Sequence, residues 1–140
     1  MKKTCSILLI LVLLFACITP AHAAQIPSVT PLYENTSNAT LSFTITESGE
    51  ASFTVNISSD SSAIMISTVT YLEQKVGSSW VRVDIGTTNN ELLYRTTNSY
   101  LHKNYTHTLT SRGEYRAVCD VTVYGTAAND VFTLTNTCDY

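Results

Sequence analysis

Apolar residues recur at every second position along most of this chain. Beyond the first two dozen residues, no window repeats with the 3.6-residue period of a helix. Leu41, Phe43 and Ile45 alternate with Ser42 and Thr44, and Ala51, Phe53, Val55 and Ile57 alternate with Ser52, Thr54 and Asn56. Between the two runs lies Glu47-Ser48-Gly49-Glu50, where Gly49 suits a tight turn. The pair predicts a hairpin. A Ser-rich break at 58–62 precedes a long strand from Ala63 to Lys75. A turn at 76–79 then leads back through Trp80 to Ile85. One register places Lys75 opposite Trp80, Leu72 opposite Val83 and Thr70 opposite Ile85. It also sets Glu73 against Arg82 on the other face, as a self-consistent hairpin should.

The same pattern continues. Glu91–Thr97 predicts a strand, and Tyr105, His107 and Leu109 alternate in the next. Tyr115, Ala117, Cys119, Val121 and Val123 share one face of a long strand, and Phe132, Leu134, Asn136 and Cys138 follow in the last. About seven strands separated by turn residues predict an all-β fold, an antiparallel immunoglobulin-like β-sandwich. Tyr115 is expected in the core or at a tyrosine corner of such a sandwich.

The first residues change the picture of where the chain works. Met1-Lys2-Lys3 is basic, Ser6–Ile18 is apolar and uncharged, and Ala21-His22-Ala23 supplies small residues for cleavage. That is the pattern of a secretory signal peptide over residues 1–23, too short for a comfortable transmembrane span. A rival cut at Leu14-Phe15-Ala16-Cys17 would leave a membrane-anchored lipoprotein carried by Cys17. Residues 24–38, with Pro27 and Pro31, read as a flexible lead-in, and residues 39–140 as the sandwich domain. Losing Lys2 and Lys3 takes the formal charge from −3 to −5. The remaining basic residues are scattered and form no phosphate-binding stripe, which argues against nucleic acid.

After cleavage the chain keeps two cysteines, Cys119 and Cys138. A four-residue loop at Ala127–Asp130 would set them directly opposite one another. The reading is a structural disulfide closing about 18 residues and contributing about 3 kcal/mol. Two thiols alone do not make a zinc site, and the spacing is not that of a redox CxxC pair. His102 and His107 fall on opposite faces of one strand. Asp84, Glu91 and Glu114 are not drawn together by any motif, and no GxSxG, HExxH or phosphate loop is present. The expectation is a non-enzymatic chain with no catalytic residues, metal or cofactor.

Eight tyrosines and Trp80 remain. Trp80, Tyr94, Tyr100 and Tyr105 are the candidate ligand-contacting aromatics. Exposed aromatic rings with polar tips suit sugar stacking or protein contact. A coplanar exposed row would favour a glycan. N-glycosylation patterns occur at Asn35, Asn38, Asn56 and Asn104.

LEQKVGSSWVRV, followed by SRGEYRAVCDVTVYG, resembles small secreted β-sandwich proteins of Gram-positive bacteria over residues 51–140. The resemblance implies the sandwich fold and export and carries over no functional residue. The cysteine pair departs from the common pattern of that group. Together these readings make the chain a secreted binding or interaction module, with a protein or glycan partner outside the cell and a role such as adhesion. The alternative is a small carbohydrate-binding protein using exposed aromatics.

Overall fold

The alternating runs build two antiparallel sheets that share one core. The computed structural model of the chain describes Ser28–Val29 and residues 33–140. The expected signal peptide, its rival at Cys17 and part of the lead-in lie outside those residues. Among the described residues the structure is all-β, with a single 3-10 turn at Thr88–Asn90 and no α-helix. No helix there is long and apolar enough to cross a membrane.

The first sheet contains β1 (Ser28–Val29), β2 (Thr36–Ile45), β3 (Glu50–Ser59) and β7 (Tyr100–Thr108), in the order β1-β2-β3-β7. The second holds β4 (Ala63–Val76), β5 (Ser79–Arg82), β6 (Leu92–Thr96), β8 (Glu114–Gly125) and β9 (Asn129–Asp139). Its order is β5-β4-β8-β9, with β6 also paired to β4. Leu41, Phe43, Phe53, Val55, Ile57 and Leu101 from the first sheet are buried against Ile66, Leu72, Tyr115, Val121, Val123 and Leu134 of the second. Each such large side chain contributes about 1.5–3 kcal/mol on leaving water.

The first hairpin pairs as the alternation predicts, Phe43 opposite Phe53 and Ile45 opposite Ala51, with Gly49 at φ +84° in its turn. In the second, Lys75 faces Trp80 and Glu73 faces Arg82, and the Val83 N–H donates to Leu72 O at 2.9 Å. There the expected register ends. Thr70 pairs with Leu92 instead of Ile85. The chain turns at Asp84, whose carboxylate accepts the Gly86 N–H at 2.9 Å, and returns as β6 to the same edge of β4. A 14-residue strand offers that edge room for two short partners in series.

β2 opens at Thr36, and Ser28–Val29 pairs with Ala39 and Thr40. A further expectation is corrected. The final hairpin is slipped by four residues. Cys119 faces Leu134 and Cys138 faces Tyr115, so the expected Cys119–Cys138 disulfide is absent and both thiols are free. Four residues along a strand separate the two positions by about 13 Å, beyond the reach of a disulfide.

The slip has a local cause. Asp130, assigned to the loop by the sequence reading, is buried in β9 and used there. Its carboxylate accepts the Asn35 N–H at 2.9 Å, the Asn35 side-chain amide at 3.3 Å and the Thr36 hydroxyl at 2.8 Å. The turn therefore closes earlier, with the Gly125 N–H donating to Ala128 O at 3.1 Å. At the other end of β8, Tyr115 is buried and its hydroxyl donates to Ser111 O at 2.7 Å.

Candidate functional site

The four candidate aromatics fall on three separate surfaces and form no row. Tyr94 and Tyr105 turn inward at the open edge between the sheets. β6 closes that edge of one sheet and β7 the other. Lys103 on β7 lays its ammonium 3.9 Å from the centroid of the Tyr94 ring. Tyr105 packs on Phe53 with ring centroids 5.5 Å apart. Burial pushes the Tyr105 phenol up, with smaller contributions from Cys119 and Tyr94. Beside it opens a cleft of about 230 Å³, lined by Phe53, Ile85, Leu92, Asn104, Tyr105 and His107 among others. Apolar and polar side chains line its floor together, and its size suits one side chain or small ring. The displaced Ile85, free of the expected pairing with Thr70, forms part of this floor.

Tyr100 belongs to a different surface, the outer face of the first sheet. Strand pairing stacks Thr44, Ser52 and Thr106 in one row, Ser42, Thr54 and Asn104 in the next, and Thr40, Asn56 and His102 in a third. Among the described residues the face is rich in hydroxyls and amides, holds no Lys, Arg or Asp, and has Glu50 at one end. Ser52 and Thr54 both donate to Asn104 Oδ1 at 3.2 Å. Tyr100 donates to Asn56 Oδ1 at 3.2 Å, and His102 Nδ1 lies 2.5 Å from the same oxygen. The Tyr100 and His102 rings are parallel within 6° at 6.4 Å. Tyr100 is 53% exposed, the one candidate aromatic offered largely to solvent. His102 points outward here and His107 into the cleft, on opposite faces as their spacing requires.

Trp80 lies on the outer face of the second sheet and is covered. Arg116 lies 4.4 Å from its ring centroid and Lys75 5.8 Å. Six of the charges on this face pair with one another. Arg116 pairs with Glu73 at 2.5 Å, Lys75 with Glu114 at 2.6 Å, and Arg82 with Glu91. Arg82 also stacks on Tyr71 at 3.6 Å. Glu73 thus bonds its partner on β8 rather than Arg82 opposite it on β5, because β8 offers a guanidinium at the same level. Burial, then Asp120 and Glu73, push the Tyr71 phenol up against the pull of Arg82. Among the described residues, no three His, Cys, Asp or Glu side chains converge as a metal site.

Cys119 is buried beside Thr70, whose hydroxyl donates to Sγ at 3.3 Å, and burial pushes its thiol up to about 11. Cys138 is half-buried. Of the four glycosylation patterns, Asn35 is closed by burial, with its amide also donating to Ala128 O at 3.0 Å, whereas Asn38 and Asn104 are exposed. The Asn35–Thr36–Asp130 cluster was missed in the sequence. Its members lie over 90 residues apart, and the one signal, an Asp set among strand residues, reads equally well as a turn.

Fold and surface together define a small all-β chain of two antiparallel sheets with one hydroxyl-rich outer face. No protein-family model, curated protein or solved structure matches it.

Proposed function

We propose that the chain is an exported, non-enzymatic binding module, built as an immunoglobulin-like sandwich and acting at the cell surface. The connection order supports that architecture: β3 pairs with β7 in one sheet, and β4, β8 and β9 lie side by side in the other. This matches the B–E and C–F–G pairings of immunoglobulin domains. The Tyr115 hydroxyl bonded back to Ser111 O resembles the tyrosine corner of such domains and supports the same reading. The basic start and apolar run at residues 1–23 support export.

The observation that carries the reading is the contrast between the two outer faces. The second sheet carries a charged outer face, with Glu73, Glu91 and Glu114 in ion pairs and Arg95, Asp120 and Asp139 exposed. The first presents an array of hydroxyls and amides, with Tyr100 at one end and Glu50 at the other. Such a face suits docking of a polar, uncharged partner over its whole width. The direct experiment is binding of the mature chain to Gram-positive cell surfaces. The wild type is expected to bind, and the double variant Asn104→Lys, Thr54→Lys to lose most of the signal. Equal binding by both would overturn the assignment to this face.

A second reading, a neutral glycan as the partner, is favoured by the parallel Tyr100 and His102 rings beside Asn56. Exposed ring faces stack on sugars while neighbouring amides and hydroxyls bond their OH groups. On a glycan array this reading expects a signal that Tyr100→Ala abolishes. A blank array with protease-sensitive cell binding assigns the partner as protein.

A further inference from the structure

The edges of the two sheets are not equally protected. An unpaired strand edge is a template for another chain, and proteins guard it with short strands, charged side chains, proline or bulges. β5 has four residues and includes Arg82, and β6 has five and includes Arg95. β7 carries His102, Lys103 and His107. The β2 edge is partly taken by Ser28–Val29. β9 has fewer of these guards: its charges are Asp130, turned inward, and Asp139 at its last position. It runs 11 residues without Lys, Arg or Pro, and pairs with β8 through every residue with no register shift. Among the described residues, nothing pairs with its other edge.

The hydrogen-bond phase shows what that edge offers. Gly125 bonds Ala128 at one end of the hairpin, and Gly113 and Tyr140 exchange both bonds at the other, at 3.2 and 2.9 Å. Antiparallel pairs alternate between bonded and non-bonded. The even-numbered residues of β9 therefore bond β8. The odd-numbered ones, Asn129, Val131, Thr133, Thr135, Thr137 and Asp139, turn their N–H and C=O groups outward. Val131 is 68% exposed, and Tyr33 stacks on Phe132 at 4.9 Å, which adds apolar surface along the same edge.

We propose that β9 is an intermolecular strand whose occupant is a second copy of this chain, paired antiparallel about a twofold axis at Leu134. Self-pairing is what the side chains permit. This register sets Thr133 of one copy opposite Thr135 of the other, Val131 opposite Thr137, and Asn129 opposite Asp139. Threonine pairs are favourable across strands and like charges are not. Of the two carboxylates in β9, Asp130 is turned inward and held by Asn35 and Thr36. Asp139 meets a neutral amide, so no like charges oppose. The second sheets of the two copies join into one continuous sheet, and the outer faces of both first sheets stay open.

The test is the oligomeric state of the purified mature chain, by light scattering from about 1 to 500 μM, the range suited to a small interface. A dimer is expected. Thr135→Pro removes an outward N–H and no bond to β8, a position where an edge strand tolerates proline. It should weaken dimerisation at least tenfold while leaving the circular dichroism unchanged. Val131→Glu, at an exposed site beside Asp139 of the other copy, should do the same without touching the backbone. In hydrogen exchange, the Val131, Thr133, Thr135 and Thr137 amides should gain protection with concentration. A wild type monomeric at every concentration overturns the proposal. So does a dimer that survives both variants, or a chain that dimerises only once residues 24–32 are removed.

Discussion

The Thr36 hydroxyl donates to the buried carboxylate of Asp130 at 2.8 Å, across 94 residues of sequence. With the two bonds from Asn35, it ties the start of the first sheet to the last strand of the second. Asp130→Ala removes the acceptor for three buried donors. Hydrogen bonds to a charged group and stranded donors are each costly, so the loss should be about 2–4 kcal/mol. Urea unfolding measures it as a lower midpoint with an unchanged slope. Wild-type stability in the variant would mean that the three bonds do not hold the two segments together.

Gly125 sets the position of that turn. A Cβ there would collide with Asn35 Oδ1 and come within 2.5 Å of Ala128 O. Gly125→Ala should therefore cost about 1–3 kcal/mol, the range for forcing atoms into a packed site. Thermal unfolding of the two proteins checks this, and an unchanged midpoint would show that the turn has room.

The thiols should differ sharply. Cys119 is buried with its thiol raised to about 11, whereas Cys138 is half-buried. Only the thiolate is a nucleophile. A thiol reagent at pH 8 should label Cys138 in the native protein and reach Cys119 after unfolding. A mass two units low under oxidising conditions, with neither thiol labelled, would restore the disulfide.

The same thiol makes stability depend on pH. In the unfolded chain it ionises at the ordinary value of 9.0, and in the folded chain near 11. Between those values the unfolded state has lost a proton that the folded state keeps. Stability therefore falls as pH rises through this window, by about 2–3 kcal/mol in full. Tyr71 and Tyr105, both raised, act in the same direction at higher pH. Urea unfolding at pH 8 and pH 11 should show the decline, and Cys119→Ala should flatten it. Equal slopes for the two proteins would remove Cys119 as a cause.

Arg116 bonds Glu73 and covers Trp80. A double-mutant cycle between Arg116→Ala and Trp80→Ala should return a coupling of about 0.5–1 kcal/mol, typical of a partly exposed cation–π pair. Zero coupling would leave Glu73 as the one partner that matters.

Alternation in the sequence was enough to determine the strands, their faces and the Lys75–Trp80 register, because side chains of period two can satisfy a buried face in one phase alone. Within a face it could not determine partners. Sliding β9 by four residues keeps Leu134, Asn136 and Cys138 on the inner side, so the pattern is the same whether Cys119 meets Cys138 or Leu134. The distant Asn35–Thr36–Asp130 bonds chose between them, as the longer-range pairing of β4 with β6 decided where Ile85 went. Which aromatics face water was likewise tertiary: Tyr100 and Tyr105 lie on one strand at odd spacing, and the packing of the second sheet decided that the Tyr105 face is covered.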